Sequence, residues 1–180
     1  MGVILYAGGC RSGKSRLALE TAHAISERVC FIATCVPQDD EMHLRVKRHQ
    51  EERPENWLLI EEPVDLVGAI SRVYSSGCQV ILVDCLTLWL CNLMCKDQAP
   101  LTTEQEIAIE AEKLIHSAIQ FSGDVIFVSS EVGMGIMPDN AMSRSYIDMI
   151  GQVNQIIARG ANKVVFVSCG IGMTLKPIPE

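Results

Sequence analysis

The chain has 180 residues, 48% of them hydrophobic, enough for one domain (1–180) with a full core and too few for two comfortable ones. A formal charge of −7, with fifteen Lys and Arg thinly spread, argues against a nucleic-acid footprint and suits a small phosphorylated ligand. The densest basic cluster, Arg45-Val46-Lys47-Arg48-His49, sits among carboxylates. No apolar run approaches the roughly 20 residues that span a bilayer, and the N-terminus enters a predicted strand almost at once, so a cytoplasmic protein without a membrane span is expected. The eight cysteines form no C-x-x-C pair and are expected as reduced thiols, mostly packed as small hydrophobes. Cys91 and Cys95, one helical turn apart, raise a metal reading, but core packing is the favoured one because no further ligand pair stands nearby.

The chain opens with an apolar strand, Val3-Ile4-Leu5-Tyr6, followed by Gly8-Gly9-Cys10-Arg11-Ser12-Gly13-Lys14-Ser15. This is the G-x-x-x-x-G-K-S pattern of a phosphate-binding P-loop between a strand and a helix. Glycines let the loop close its N–H groups around phosphate oxygens. Lys14 is expected to reach the β- and γ-phosphates and Ser15 to hold Mg²⁺, with the positive end of the following helix adding to the cradle. Lys14 to Glu27 carries Leu17, Ala18, Ala22 and Ile25 at helical spacing, and Val29 to Thr34 is a short apolar strand. Asp39 to Arg53 reads as a helix with acids in front and bases behind but few apolar anchors, so it is expected to be solvated and able to move.

Pro54 ends that helix, Trp57 to Ile60 can form a strand, and Pro63 to Ser75 reads as a helix closed by Gly77. Val80-Ile81-Leu82-Val83-Asp84 is a continuous apolar run ending in an acid, as in a parallel strand covered on both faces with a carboxylate at its C-terminal end. Asp84 can bind Mg²⁺ directly or through water beside Ser15, and can also cap the next helix. Leu86 to Cys95 is apolar almost all round and must be buried in the core or against another subunit. A helix from Thr102 or Thr103 to about Phe121, a strand at Asp124 to Ser130, a helix at Met142 to Arg159 stopped by Gly160, and a strand at Lys163 to Ser168 complete the alternation, with Gly170 to Lys176 as a short hairpin arm. The expected fold is α/β: a single-domain, P-loop NTPase-type sheet, mostly parallel, with helices on both faces.

A GTPase switch does not fit, since Asp84-Cys85-Leu86-Thr87 lacks the glycine of D-x-x-G and Asn162-Lys163-Val164-Val165 lacks the aspartate of N-K-x-D. A plain P-loop small-molecule kinase does fit and remains the alternative. Beyond the P-loop, the chain carries Asp39-Asp40-Glu41-Met42 with Arg45, His49, Arg53-Pro54 and Trp57, then Glu61-Glu62-Pro63, Asp84-Cys85-Leu86-Thr87 and Asn92-Leu93. Glu131-Val132-Gly133-Met134-Gly135-Ile136-Met137-Pro138 and Gly151-x-x-Asn154-Gln155 follow. Over nearly its whole length the sequence resembles the bifunctional adenosylcobinamide kinase / adenosylcobinamide-phosphate guanylyltransferases of cobalamin assembly. The resemblance implies phosphorylation of a cobinamide hydroxyl, then transfer of GMP from GTP through a guanylylated histidine, with GTP and ATP as substrates, Mg²⁺ as cofactor and a homotrimeric assembly.

The guanylylated histidine of that family matches His49, and neutral imidazole is a competent nucleophile toward a metal-bound phosphate. Where some members carry paired histidines this chain has Arg48-His49, which leaves His49 the only candidate nucleophile in the segment. The same transfer marks Ala33, Thr34, Cys35, Gln50, Glu51, Glu52, Arg53, Glu61 and Asp84 as nucleotide contacts, with Thr34 and Arg53 as phosphate or base donors. Glu61 can equally be a solvated charge beside Glu62. Glu131 to Gly135 follows a strand end on the expected active edge and reads as substrate-side. Tyr146-Ile147-Asp148 stands where members often show F-R-D, so the contact of that arginine is absent.

Overall fold

The computed structural model describes residues 2–37, 39–40, 43–44, 53–54, 56–95, 100 and 102–176. Among them, seven strands form one sheet: β1 (Val3–Gly8), β2 (Val29–Ala33), β3 (Leu58–Glu61), β4 (Val80–Asp84), β5 (Asp124–Ser130), β6 (Lys163–Ser168) and β7 (Ile171–Lys176). Their order is β3-β2-β4-β5-β1-β6-β7, all parallel except β7, which returns antiparallel on β6 as the predicted hairpin arm. Helices α1 (Lys14–Ile25), α2 (Leu66–Val73), α3 (Leu86–Cys95), α4 (Glu104–Gln120) and α5 (Ala141–Gly160) pack on the two faces. The α/β expectation holds, and β5 lies between the P-loop strand and the strand carrying Asp84.

The sheet is covered because its strands are apolar on both sides. One face packs Ile4, Tyr6, Phe31, Leu82 and Ile126 against Ala18, Leu19 and Ala22 of α1. The other packs Leu5, Ile32, Ile81, Val83 and Phe127 under α2 to α5. Strands buried on both faces with parallel crossovers are what continuous Val/Ile/Leu runs specify.

Helix starts follow local chemistry. Thr103 caps α4, its hydroxyl accepting from Glu106 N at 3.2 Å while the Glu106 carboxylate reaches back to Thr103 N at 3.1 Å. Asn140 caps α5 through Ser143 N at 2.8 Å. The helix expected from Pro63 begins at Leu66, because the Glu62 carboxylate takes the N–H groups of Val64 and Asp65, and Asp65 then caps through Gly68 N. Gly160 does not stop α5 either: it is the last helical residue and Ala161 is the cap. Glycine is needed there for packing, since a Cβ would stand 2.4 Å from Cγ1 of Ile115 on α4.

The cysteine expectation needs correction. All eight cysteines stand outside disulfides, yet Cys30 alone among them is fully buried, while Cys10, Cys91, Cys95 and Cys169 are exposed. Helix α3 sends Leu86, Trp89, Leu90 and Leu93 into the core, so Cys91 and Cys95 fall on its outer side.

Candidate active site

Register brings the C-terminal ends of the strands to one edge: Glu61 stands opposite Ala33, Ala33 opposite Asp84, Asp84 opposite Val128, and Gly8 opposite Ser130. Ligands of open α/β sheets bind outside this edge. The P-loop leaves β1 here and turns into α1 through Gly13 at φ +93°, a left-handed conformation that glycine adopts without strain. Gly8 is required for another reason, since a Cβ there would sit 2.3 Å from the Val167 carbonyl oxygen. Lys14 arches over the loop and donates from Nζ to Gly9 O at 3.2 Å. Cys10 and Arg11 are exposed and Gly9 and Ser15 half-buried, while the Ser12 hydroxyl is buried with no hydrogen-bond partner among the described residues.

Burial pushes the Cys85 thiol up to about 11; the Asp84 carboxylate adds to that rise and the Lys14 ammonium opposes it. Both charges therefore act on the same spot beside the strand end. Cys85 stays a thiol and is no nucleophile. Thr34 is fully buried; its Oγ1 accepts from Cys85 N at 2.7 Å and donates to Cys85 O at 2.8 Å. Thr34 N donates to Asp84 O at 3.2 Å, and Asn92 Nδ2 donates to Thr34 O at 2.8 Å and Pro63 O at 3.0 Å. Thr34 thus clamps the backbone that carries Asp84, and its hydroxyl is engaged within the protein.

Arg53 stacks its guanidinium 4.2 Å above the Phe31 ring. Burial lowers its pKa, and the carboxylates of Glu61 and Asp84 work against that fall, so all three charges share one neighbourhood. Glu61 is exposed at the end of β3 and Cys35 is half-buried just past β2. The neighbouring Glu62 is a structural charge instead. Burial alone would raise its pKa, but N–H groups of Asp65 and Val64 and the Arg72 guanidinium at 2.9 Å hold it below the usual carboxylate range. His49, Gln50, Glu51 and Glu52 lie outside the described residues.

Two further supports were not legible in the sequence. Glu131 N donates to Gly8 O at 3.0 Å, placing the start of the Glu131-to-Gly135 loop against the P-loop, with the Glu131 carboxylate accepting from Gly133 N at 2.9 Å. Gly170 N donates to Ser12 O at 2.8 Å, so the β6–β7 turn buttresses the loop from the other side. The sequence places Glu131 to Gly135 at the active edge, but its bond to the P-loop, like that of Gly170, cannot be read before strand order is known.

Residues 4–175 match the family described as cobinamide kinase / cobinamide phosphate guanyltransferase. The chain belongs to that family. Curated relatives include the bifunctional adenosylcobalamin biosynthesis protein CobP of Pseudomonas aeruginosa, 39% identical over 97% of this chain and 98% of that protein. The protein CobU of Escherichia coli, which bears the same descriptive name, is 37% identical over 97% of this chain and 99% of that protein. A crystal structure of the RadB recombinase aligns with 92% of this chain and 73% of its own at a TM-score of 0.51, with 14% identity, a likeness of fold alone. As a member of its family the chain is an enzyme with two transfer activities, kinase and guanylyltransferase, both drawing on nucleotide substrates. No described helix is long and apolar enough to cross a membrane.

Proposed function

We propose that one nucleotide site at the C-terminal edge of the sheet serves both reactions: phosphorylation of the adenosylcobinamide hydroxyl and transfer of GMP from GTP onto the resulting phosphate. The observation that carries this reading is the convergence of Lys14, Asp84, Glu61 and Arg53 on the strand ends. Arg53, anchored over Phe31, follows His49 by four residues in the sequence. The P-loop amides and Lys14 hold the β- and γ-phosphates of GTP or ATP.

The Ser15 hydroxyl and Asp84 carboxylate are hard oxygen donors suited to Mg²⁺. No cage of three or more His, Cys, Asp or Glu occurs among the described residues, and a cation that keeps phosphate and water oxygens needs none. When bound, Mg²⁺ supplies neutralisation of charge on the transferring phosphate oxygens. For phosphoryl transfer the protein positions a hydroxyl in line with the γ-phosphate. For guanylyl transfer an imidazole nitrogen of His49 attacks the α-phosphorus; a P–N bond forms and the P–O bond to pyrophosphate breaks. The phosphate of the corrinoid then attacks the same phosphorus, and imidazole departs as a neutral ring.

The decisive experiment is incubation with GTP labelled at the α-phosphate. An acid-labile, base-stable GMP adduct on His49 with release of pyrophosphate is expected, and His49→Ala should abolish guanylyl transfer while sparing much of the kinase. An adduct elsewhere would move the nucleophile, and no adduct alongside ordinary phosphorylation would leave a plain P-loop kinase. The homotrimer implied by the resemblance draws support from the edge strand β7, where Ile171, Met173 and Leu175 are large exposed apolar side chains. Light scattering at the mass of three chains checks it.

A further inference from the structure

Helix α5 meets the sheet late. Asn154 Nδ2 donates to the carbonyl of Ser130, the last residue of β5, at 3.3 Å, so the turns from Ala141 to Asn154, about 20 Å of helix, extend beyond that strand end. Helix α3 also starts at this edge, two residues after Asp84, and the two helices are tied by Tyr146 Oη donating to Thr87 O at 2.8 Å. Between them lies a cavity of about 300 Å³ whose walls include Cys91, Met94, Cys95, Val132, Met142 and Ile147. Val132 directly follows Glu131, whose N–H is bonded to the first glycine of the P-loop. The cavity wall and the residue bonded to the phosphate loop are therefore adjacent in one chain segment.

We infer that this cavity receives an apolar edge of the corrinoid macrocycle and so sets the approach of its hydroxyl arm to the nucleotide. The inference rests on the proposed function and assigns the macrocycle a place within it. Its lining is almost wholly apolar or sulfur, the surface that a ring edged with methyl groups buries well. A tetrapyrrole-sized ring is larger than the cavity, so only one side enters. The remainder meets the loop after Val132, where Met134 is 76% and Ile136 98% exposed, apolar groups for which a covering partner is the ordinary explanation. Cys91 and Cys95 stand about 8 and 14 Å along α3 from Leu86, a separation from Asp84 that the extended arm between ring and hydroxyl can cover. Partial burial and the neighbouring Cys95 thiol hold the Cys91 pKa up, which keeps this wall uncharged. The second cavity, about 440 Å³ beside Glu27, Arg28, Asn56 and Ser76, opens at the opposite ends of the strands, away from the phosphates.

The two native thiols report occupancy. Maleimide labelling followed by mass spectrometry is run at pH 8 on the full chain with cobinamide, with GTP, or with neither. Cobinamide should slow labelling of Cys91 and Cys95 at least tenfold, whereas GTP should slow Cys10, in the P-loop, and leave the pair unchanged. Cys95→Trp, which fills the cavity, should raise KM for cobinamide at least tenfold with GTP affinity unaltered. Turnover of cobinamide with Cys91 and Cys95 labelled at the unliganded rate, and a normal KM in C95W, would overturn the inference and leave the proposed function standing. Thiols shielded in the free protein and released by dilution would make the face a contact between copies of this chain, which also overturns it. Failure to turn over cobinamide at all would sink the functional reading and the inference with it.

Discussion

Thr34 offers a sharp test because two roles for it predict opposite outcomes. Thr34→Val keeps the shape and removes the hydroxyl that both accepts from Cys85 N at 2.7 Å and donates to Cys85 O at 2.8 Å. The residue is fully buried, so water cannot replace those bonds and the Cys85 N–H is left unpaired. An orphaned buried donor costs about 1–3 kcal/mol, and loss of the bond to the carbonyl adds to it, giving about 2–4 kcal/mol. For a chain of this length each kcal/mol lowers the melting temperature by about 2–4 °C, so a drop on the order of 10 °C is expected. Urea unfolding followed by far-UV dichroism gives the free energy, and a fluorescent GTP analogue gives affinity. Thr34→Ser, which keeps the hydroxyl, should recover most of the loss. An unchanged urea midpoint in Thr34→Val, coupled with a large fall in GTP affinity, would refute the clamp and restore Thr34 as a direct ligand donor.

Lys14→Ala should depress both kinase and guanylyl-transfer rates by about 10²-fold or more with the fold intact, since one ammonium neutralises phosphate charge in both, and parallel steady-state assays check it. Gly160→Ala forces a Cβ to within 2.4 Å of Ile115 Cγ1 and should cost about 1–3 kcal/mol in urea unfolding while leaving KM values unchanged. Glu62→Gln removes a carboxylate held by two N–H groups and Arg72 and should cost about 1–2 kcal/mol near pH 7. Because the folded pKa lies below the ordinary value of 4.5, this stabilisation is fully present above that value and lost as pH falls through the folded one. Unfolding measured from pH 7 to pH 3 should show wild type and E62Q converging at the acid end.

Local chemistry alone determined much of this protein. Binary pattern set the strands at Asp124–Ser130 and Lys163–Ser168 and the helix at Leu86–Cys95, because a continuous apolar run of strand length or helix length leaves little choice once glycines and caps bound it. The P-loop was legible because its function lies in backbone angles that only a short glycine-bearing string can adopt, as Gly13 at φ +93° shows. Strand order was not legible, since nothing local in β5 says that it inserts between β1 and β4, yet that insertion puts Glu131 against Gly8. Thr34 is marked as a nucleotide contact by the family resemblance, and no local pattern shows that its hydroxyl bonds the backbone of Cys85. Cys91 and Cys95 read as core because α3 is apolar all round, and only its packing shows which side the sheet takes. Gly160 read as a helix stop from its place in the chain, whereas Ile115, 45 positions earlier, is the reason it must be glycine. In each case a side chain's role depends on what a distant segment brings to it, and that is settled by tertiary contact, which local sequence does not encode.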